Sequence, residues 1–211
     1  MGLTFDPLLN IFQASTRTNE AVESTATILF TYDDYLALPD DGKRHEIIGG
    51  ELSMTPAPFT DHQRILLNIF RPIDNYVRKR KLGEVLIAPV DVILSMTDVV
   101  QPDLIFISRD HSRIITKKNV ISAPDLVIEI LSGSSAWRDR SIKKSLYEKY
   151  GVLEYWIVDP EEQAIEVYVL KENKFILLGR FSRDESMESE VLGGLKIAAR
   201  GIFTAEEGMK G

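Results

Sequence analysis

Pro124-Asp125-Leu126-Val127-Ile128-Glu129-Ile130-Leu131-Ser132 is the stretch from which the fold can be read. Leu126 to Leu131 is a continuous, β-branched apolar run, too short for an ordinary helix, and Gly133-Ser134-Ser135 closes it. Such a run predicts a strand covered on both faces, as at the centre of an α/β sheet. One carboxylate, Glu129, interrupts it. Taking an ionised carboxylate out of water is costly unless a partner or a metal compensates. Glu129 is therefore either a half-wet strand-end residue paired to a lysine, or a metal ligand or catalytic acid.

Outward from this strand, the chain reads as one α/β or α+β domain. Arg138 to Tyr150 predicts a helix ended by Gly151, and Tyr155 to Val158 a further strand stopped by Asp159-Pro160. A strand–helix–strand passage of this kind suits parallel neighbours. Ala164–Leu170 and Lys174–Leu178 read as a hairpin, and Leu195 to Ala198 as a last short strand. On the N-terminal side, Thr31-Tyr32-Asp33-Asp34-Tyr35-Leu36 predicts a short helix with Thr31 as N-cap and Asp34 three residues on. His45-Glu46-Ile47-Ile48-Gly49-Gly50-Glu51-Leu52-Ser53-Met54 is a hairpin signal around Gly-Gly. Ile65, Ile69, Ile73, Tyr76 and Val77 recur at helical spacing between Asp61 and Lys81, with Pro72 expected to kink or split that helix. Residues 84–94 and 99–108 read as two strands, and 109–123 as a polar connection. The expected architecture is three layers, with a central mixed β-sheet flanked by helices.

The 211 residues suffice for one domain with a real core. We expect a loosely ordered arm over 1–27, with a helical turn near Leu8 to Phe12, a single domain over 28–205 and a tail over 206–211. No apolar run approaches the roughly 20 residues of a membrane helix, and 1–27 lacks the pattern of a secretory signal. The absence of cysteine excludes disulfides, a thiol nucleophile and thiolate zinc sites. These features suit a cytoplasmic protein without a membrane partner. A net charge of −7 argues against broad non-specific binding to nucleic acid but leaves room for a local basic patch.

The carboxylates carry the functional signal. Asp103 is a second lone acid in an apolar run, and Pro102 before it cannot donate a ladder hydrogen bond, which predicts a bulge or strand edge there. If its strand pairs with that of Glu129, the two carboxylates converge, an arrangement suited to Mg²⁺ or Mn²⁺. Asp103 alone is also compatible with a turn or edge aspartate. Asp139, Lys143 and Tyr147 share one helix face at a spacing of four. Asp139–Lys143 is then either a surface ion pair or a device that turns Lys143 towards the carboxylates, where its ammonium holds a phosphate or positions a water. Lys144 is one residue further round, so only one of the two lysines can face inward.

These residues resemble the PD-(D/E)XK nuclease core, and the wider pattern resembles the second, large branch of the Uma family of bacterial endonucleases. The resemblance rests on His45-Glu46-Ile47-Ile48-Gly49-Gly50-Glu51, His62, Gln101-Pro102-Asp103, the quoted strand, Asp139, Lys143, Tyr147 and Gly151 to Pro160, over roughly residues 30–200. It implies a restriction-endonuclease-like fold, Mg²⁺ or Mn²⁺ held by Asp103 and Glu129, and Glu46 as a third acid. The lysine expected two residues after Glu129 is Leu131 here, which makes Lys143 the candidate in its place. Glu46 also reads as a solvated strand residue. His62, at a helix start, reads as a general base, a substrate contact or a surface histidine. Tyr147 and Lys144 are candidate substrate contacts.

The leading reading is a Mg²⁺-dependent endonuclease acting on phosphodiester bonds of DNA. Arg78-Lys79-Arg80-Lys81 and the group Arg138, Arg140, Lys143 and Lys144 are candidate phosphate contacts. The alternative is a catalytically inactive nuclease-like module that binds nucleic acid or protein. A homodimer joined through its hairpins is a third option.

Overall fold

In a computed structural model, the structure describes residues 29–39, 43–55, 57–133 and 137–204. The expected arm, its turn near Leu8 and the C-terminal tail lie outside these residues. A six-stranded mixed sheet forms the centre: β3 (Gly83–Ile87), β6 (Leu104–Ser108), β7 (Leu126–Ile130), β8 (Glu154–Asp159), β9 (Ala164–Lys171) and β10 (Lys174–Ser182). β7 lies inside it, antiparallel to β6 and parallel to β8. All five β7 residues are buried, as its continuous apolar run predicts.

The two faces of this sheet pack against different partners. Leu104, Phe106, Leu126, Ile128 and Ile130 meet α2 (Thr60–Arg80) through Ile65, Ile69, Ile73 and Val77. The alternate residues, Ile105, Ile107, Val127 and Leu131, meet Leu146 and Tyr147 of α3 (Lys144–Tyr150). Strand alternation places Glu129 on this second face, with Val127 and Leu131. α2 runs as one helix through Pro72, so of the kink or split expected there the split does not occur. The buried stripe continues on both sides of the proline, so burial of Ile69, Ile73 and Val77 outweighs one missing hydrogen bond.

The segments 84–94 and 99–108 do not form two long strands. Each divides, and the pieces enter different sheets. β4 (Val92–Ser95) and β5 (Asp98–Val100) join β1 (Arg44–Ile48) and β2 (Glu51–Thr55) in a second sheet of order β2-β1-β5-β4. Pro89 and Pro102 stand at the divisions, where a residue without an N–H leaves no donor to satisfy. Gln101-Pro102-Asp103 is thus a buried bridge between the two sheets. β1 and β2 pair across Gly49-Gly50, whose φ values of 59° and 78° match the left-handed turn that a Gly-Gly hairpin predicts. α1 (Tyr32–Leu36) has the expected reciprocal cap: Thr31 N donates to Asp34 Oδ2 at 2.8 Å and Asp34 N to Thr31 Oγ1 at 3.4 Å.

Arg138 to Tyr150 is helical but not uniform. Arg138–Lys143 is a π-helix that passes directly into α3. The connection after β6 holds a 3₁₀-helix at Arg109–Ile114. β11 (Ser186–Glu188), β12 (Lys196–Ala198) and α4 (Ala199–Phe203) close the α2 side. No helix among the described residues is long and apolar enough to cross a membrane.

Asp98 fastens the small sheet to α3. It is 2% exposed and accepts from Gly49 N at 2.7 Å, Ser95 Oγ at 3.0 Å and Tyr150 OH at 2.6 Å. Asp98→Ala leaves these donors without their acceptor and is expected to destabilise the fold by about 3 kcal/mol. A urea midpoint unchanged from the parent would show that the anchor is dispensable.

Candidate active site

The register of β6 and β7 builds the site. Leu104 pairs with Ile128, and continuing the antiparallel register by one step sets Asp103 opposite Glu129. Asp103 Oδ2 accepts the Ile130 amide at 2.9 Å, which fixes the carboxyl against the end of β7. His62, in the first turn of α2, brings Nε2 to 3.0 Å from Asp103 Oδ1, while Arg44 Nη1 stands 3.7 Å from the same oxygen. Neither ring nitrogen of His62 forms a well-directed hydrogen bond among the described residues, although both are buried. The 3.0 Å approach is therefore an electrostatic contact rather than an aligned hydrogen bond.

Glu129 Oε1 accepts from Lys143 Nζ at 3.0 Å and from Tyr147 OH at 2.7 Å. Lys143 also lies 2.8 Å from Glu46 Oε1 and 3.6 Å from Asp139 Oδ1. Glu46 Oε1 accepts the Gln101 amide at 2.9 Å, so the bridge between the sheets is tied to the same acid. Glu46, Asp103, Glu129, Asp139 and Lys143 are all 5% exposed or less, far below what isolated charges tolerate.

Charge is not balanced within this cluster. Four carboxylates face Lys143 and the half-buried Arg44 guanidinium, with His62 beside them. Burial pushes the Glu129 carboxyl up to about 8, with Asp139, Asp103 and Glu46 adding to the rise against the pull of Lys143. Lys143 is desolvated too, yet its three carboxylates outweigh that and raise its pKa above the ordinary lysine value. The upward shifts are compatible because one ammonium cannot neutralise all its acidic neighbours. For Asp103, burial raises the pKa, but His62, the Ile130 amide and Arg44 together hold it below the usual carboxylate range.

Oxygen donors and surplus negative charge fit a hard divalent cation. Mg²⁺ typically takes one or two carboxylates and keeps several waters, a set that Asp103 and Glu129 can supply. Among the described residues, no three acidic or histidine side chains are grouped as a ready metal cage. Glu46, turned to Lys143 and the Gln101 amide, is arranged as a support for the lysine.

The remaining candidates separate. Tyr147 is fully buried against Glu129, whereas Lys144 turns away, its Nζ 3.9 Å from the centre of the Tyr168 ring. Arg140 is engaged by Asp159 and Glu166, and Arg138 donates to Ser53 Oγ. Arg78 begins sixteen residues beyond His62 on α2, roughly 24 Å along the axis at 1.5 Å per residue, so the basic run lies remote from the acids. One contributor escapes a reading of the sequence, and a second is marked there only as part of Gln101-Pro102-Asp103. Arg44 carries no pattern that marks it. Gln101 links Arg44, Asp91 and Tyr35 through its side chain, and its only sequence signal is its place beside Pro102-Asp103.

A central mixed sheet packed against helices on both faces makes this an α/β fold, with Asp103 and Glu129 brought opposite one another by the β6–β7 register. The Uma2 family model, described as "Putative restriction endonuclease", matches residues 32–200, and the chain belongs to that family. Among solved structures, a protein from Anabaena variabilis described as a "putative nuclease belonging to DUF820" shares the fold, with a TM-score of 0.69 and 20% identity over 82% of this chain and 97% of that one. No curated protein matches the chain.

The shift at Glu129 has a signed consequence. Its ordinary value is 4.5, so between about 4.5 and 8 the native state binds more protons than the unfolded chain. That contribution to stability is complete below 4.5 and is lost as the pH rises through 8. Urea midpoints should therefore fall across pH 5 to 8, and Glu129→Gln should flatten the fall. An equal slope in parent and variant would assign the titration elsewhere.

Proposed function

We propose that this chain is a metal-dependent endonuclease that hydrolyses phosphodiester bonds of DNA, with Mg²⁺ or Mn²⁺ held by Asp103 and Glu129. The observation that carries the reading is the register that sets these acids opposite one another, with Lys143 3.0 Å from Glu129. When bound, such a cation supplies Lewis acidity at a phosphoryl oxygen and a water of lowered pKa. In the hydrolysis, water forms a new P–O bond, and the leaving ester oxygen departs with its electron pair and takes up a proton.

The protein side chains divide the remaining work. With Glu129 engaged by a cation, Lys143 retains Glu46 and Asp139 as partners and can direct an N–H towards a phosphate oxygen. A fixed positive charge there opposes the negative charge that develops at phosphorus. His62 is the candidate general base, held beside Asp103. Tyr147 restrains Glu129 through its hydroxyl. Leu131 leaves no strand lysine to compete with Lys143 for this place.

Asp103→Asn and Glu129→Gln should each reduce nicking of supercoiled plasmid in Mg²⁺ or Mn²⁺ at least a hundredfold, with unchanged circular dichroism. Parent-like nicking by both variants would overturn the site assignment. The packing of Lys143 among three carboxylates also favours a second reading, a nuclease-like module that binds without cutting. Calorimetric titration with Mn²⁺ separates the two: heat that disappears in Asp103→Asn supports the nuclease, whereas no heat at millimolar metal supports the module.

A further inference from the structure

Exposure is uneven among the charged side chains gathered at the acids. Those of Arg44 and His62 are 20% and 11% exposed, against 6% or less for Glu46, Asp103, Glu129, Asp139 and Lys143. The cluster thus meets solvent most on the side of Arg44 and His62, both of which stand beside Asp103. Of its two fixed cations, Arg44 and Lys143, Arg44 is the one that a phosphodiester arriving from solvent meets first.

Arg44 is not held by the acid it faces. Nη1 is 3.7 Å from Asp103 Oδ1, beyond hydrogen-bond length. Its firm partner is Gln101: Nη2 donates to the Gln101 carbonyl at 2.8 Å and Nε to Gln101 Oε1 at 3.3 Å. Gln101 is fixed in turn. Its backbone amide donates to Glu46 Oε1 at 2.9 Å, and its side-chain Nε2 donates to Asp91 Oδ1 at 2.7 Å and to Tyr35 OH at 3.0 Å. The Tyr35 hydroxyl donates to the same Asp91 oxygen at 2.8 Å. With both Nε2 hydrogens engaged, Oε1 is left to accept from Arg44. The guanidinium is therefore gripped along its Nε–Nη2 edge, and its Nη1 end points towards the acid pair. A counter-charge for Asp103 needs no such chain of supports. A planar fork held from behind, stopping short of the nearest carboxylate, is suited to a phosphate oxygen.

We infer that Arg44, aimed by Gln101, is a contact for a backbone phosphate of nucleic acid on the Asp103 side of the site, with Lys143 on the Glu129 side. The inference rests on the nuclease reading for its consequence in cleavage, but the contact itself is a matter of binding, which can be measured without cleavage. Once Asp103 is engaged by a cation, its pull on Nη1 weakens, and the fork can turn its free end to the phosphate.

The test follows the anisotropy of a labelled DNA duplex titrated with the full chain in calcium, over a range of salt. Each phosphate contact contributes about 0.9 to the slope of log affinity against log salt for duplex DNA. Arg44→Gln should bind about tenfold more weakly, with a slope shallower by about 0.9. Arg44→Lys should keep the parent slope, because the charge remains, yet bind more weakly, because the fork is lost. Gln101→Met should also bind more weakly at the parent slope and urea midpoint, as a residue does that aims Arg44 without touching DNA. In the parent chain, the duplex should protect Arg44 from phenylglyoxal, read by peptide mass spectrometry, a measurement that depends on no variant folding. No binding by the parent at low salt, a parent-like slope in Arg44→Gln, or equal modification of Arg44 with and without the duplex would each overturn the inference and leave Arg44 a counter-charge to Asp103. A chain that shows the slope change and the protection but does not nick plasmid sustains the contact and refutes only the hydrolytic reading. Nicking by a parent whose slope Arg44→Gln does not alter refutes the contact alone.

Discussion

The buried ammonium of Lys143 is the constraint on which the rest of the structure depends. It joins Glu46 of the small sheet, Glu129 of the central sheet and Asp139 of its own helical turn. No part of this set is tolerable alone, because an unpaired charge at such depth is destabilising by several kcal/mol. The two sheets and the helix after β7 must therefore assemble together. Apolar packing supplies the general attraction on both faces of β7. The charge cluster selects one arrangement from the many that would bury similar area, as it must satisfy Lys143 from three directions. The same set remains short of positive charge. A proton on Glu129 relieves the deficit, and so would a cation. Structural restraint and capacity for chemistry are thus one property of this cluster.

The path of the lysine also accounts for the local backbone. A strand lysine two residues after Glu129 would approach from β7 itself, on the same face. Leu131 instead completes the apolar layer against α3. Lys143 approaches from the other layer, across the gap between sheet and helix. Arg138–Lys143 is a π-helix, a wider turn that recurs at functional sites and is rarely retained without a local purpose. Here it holds Asp139 and Lys143, both buried, at the point where the helical segment faces Glu129. Tyr147 then follows in α3 and closes the set from the same side.

Much of this could be read from the chain, and the failures have physical causes. β7 was legible because a β-branched run has few other uses, and Glu129 stood out because it broke that run. The hairpin at Gly49-Gly50 and the cap at Thr31 carry local chemistry that needs no tertiary context. The division of residues 84–94 and 99–108 was less legible. An apolar strand residue looks alike in either sheet, and only the prolines marked where the chain changes partners. Pro72 left a split open as one outcome, but the local penalty was outweighed by a buried stripe on both sides and the helix stayed whole. The choice between Lys143 and Lys144 could not be made locally, because adjacent helix positions differ by their surroundings alone. Asp139, open to reading as a surface ion pair, is 3% exposed, with Lys143 Nζ 3.6 Å away and its carbonyl accepting from the buried Tyr155 hydroxyl.

Surplus negative charge within the cluster also governs how a polyanion could approach. The whole chain carries a charge of −7, and the basic run at the end of α2 lies roughly 24 Å from His62, too far to offset repulsion at the acids. Of the arginines nearer the site, Arg140 is held by two carboxylates and Arg44 is turned to Asp103 and Gln101. A phosphodiester entering the recess therefore meets net repulsion unless a cation is already bound. In the proposed reading, affinity for nucleic acid and affinity for the cation are then linked, and linkage is reciprocal: each must strengthen the other by the same factor. In that reading, buried acids with too little positive charge of their own would form a conditional site. The folded chain keeps these acids nearly out of water with the ammonium of Lys143 among them, and burial, which pushes the Glu129 carboxyl up to about 8, favours a proton there that lessens the repulsion.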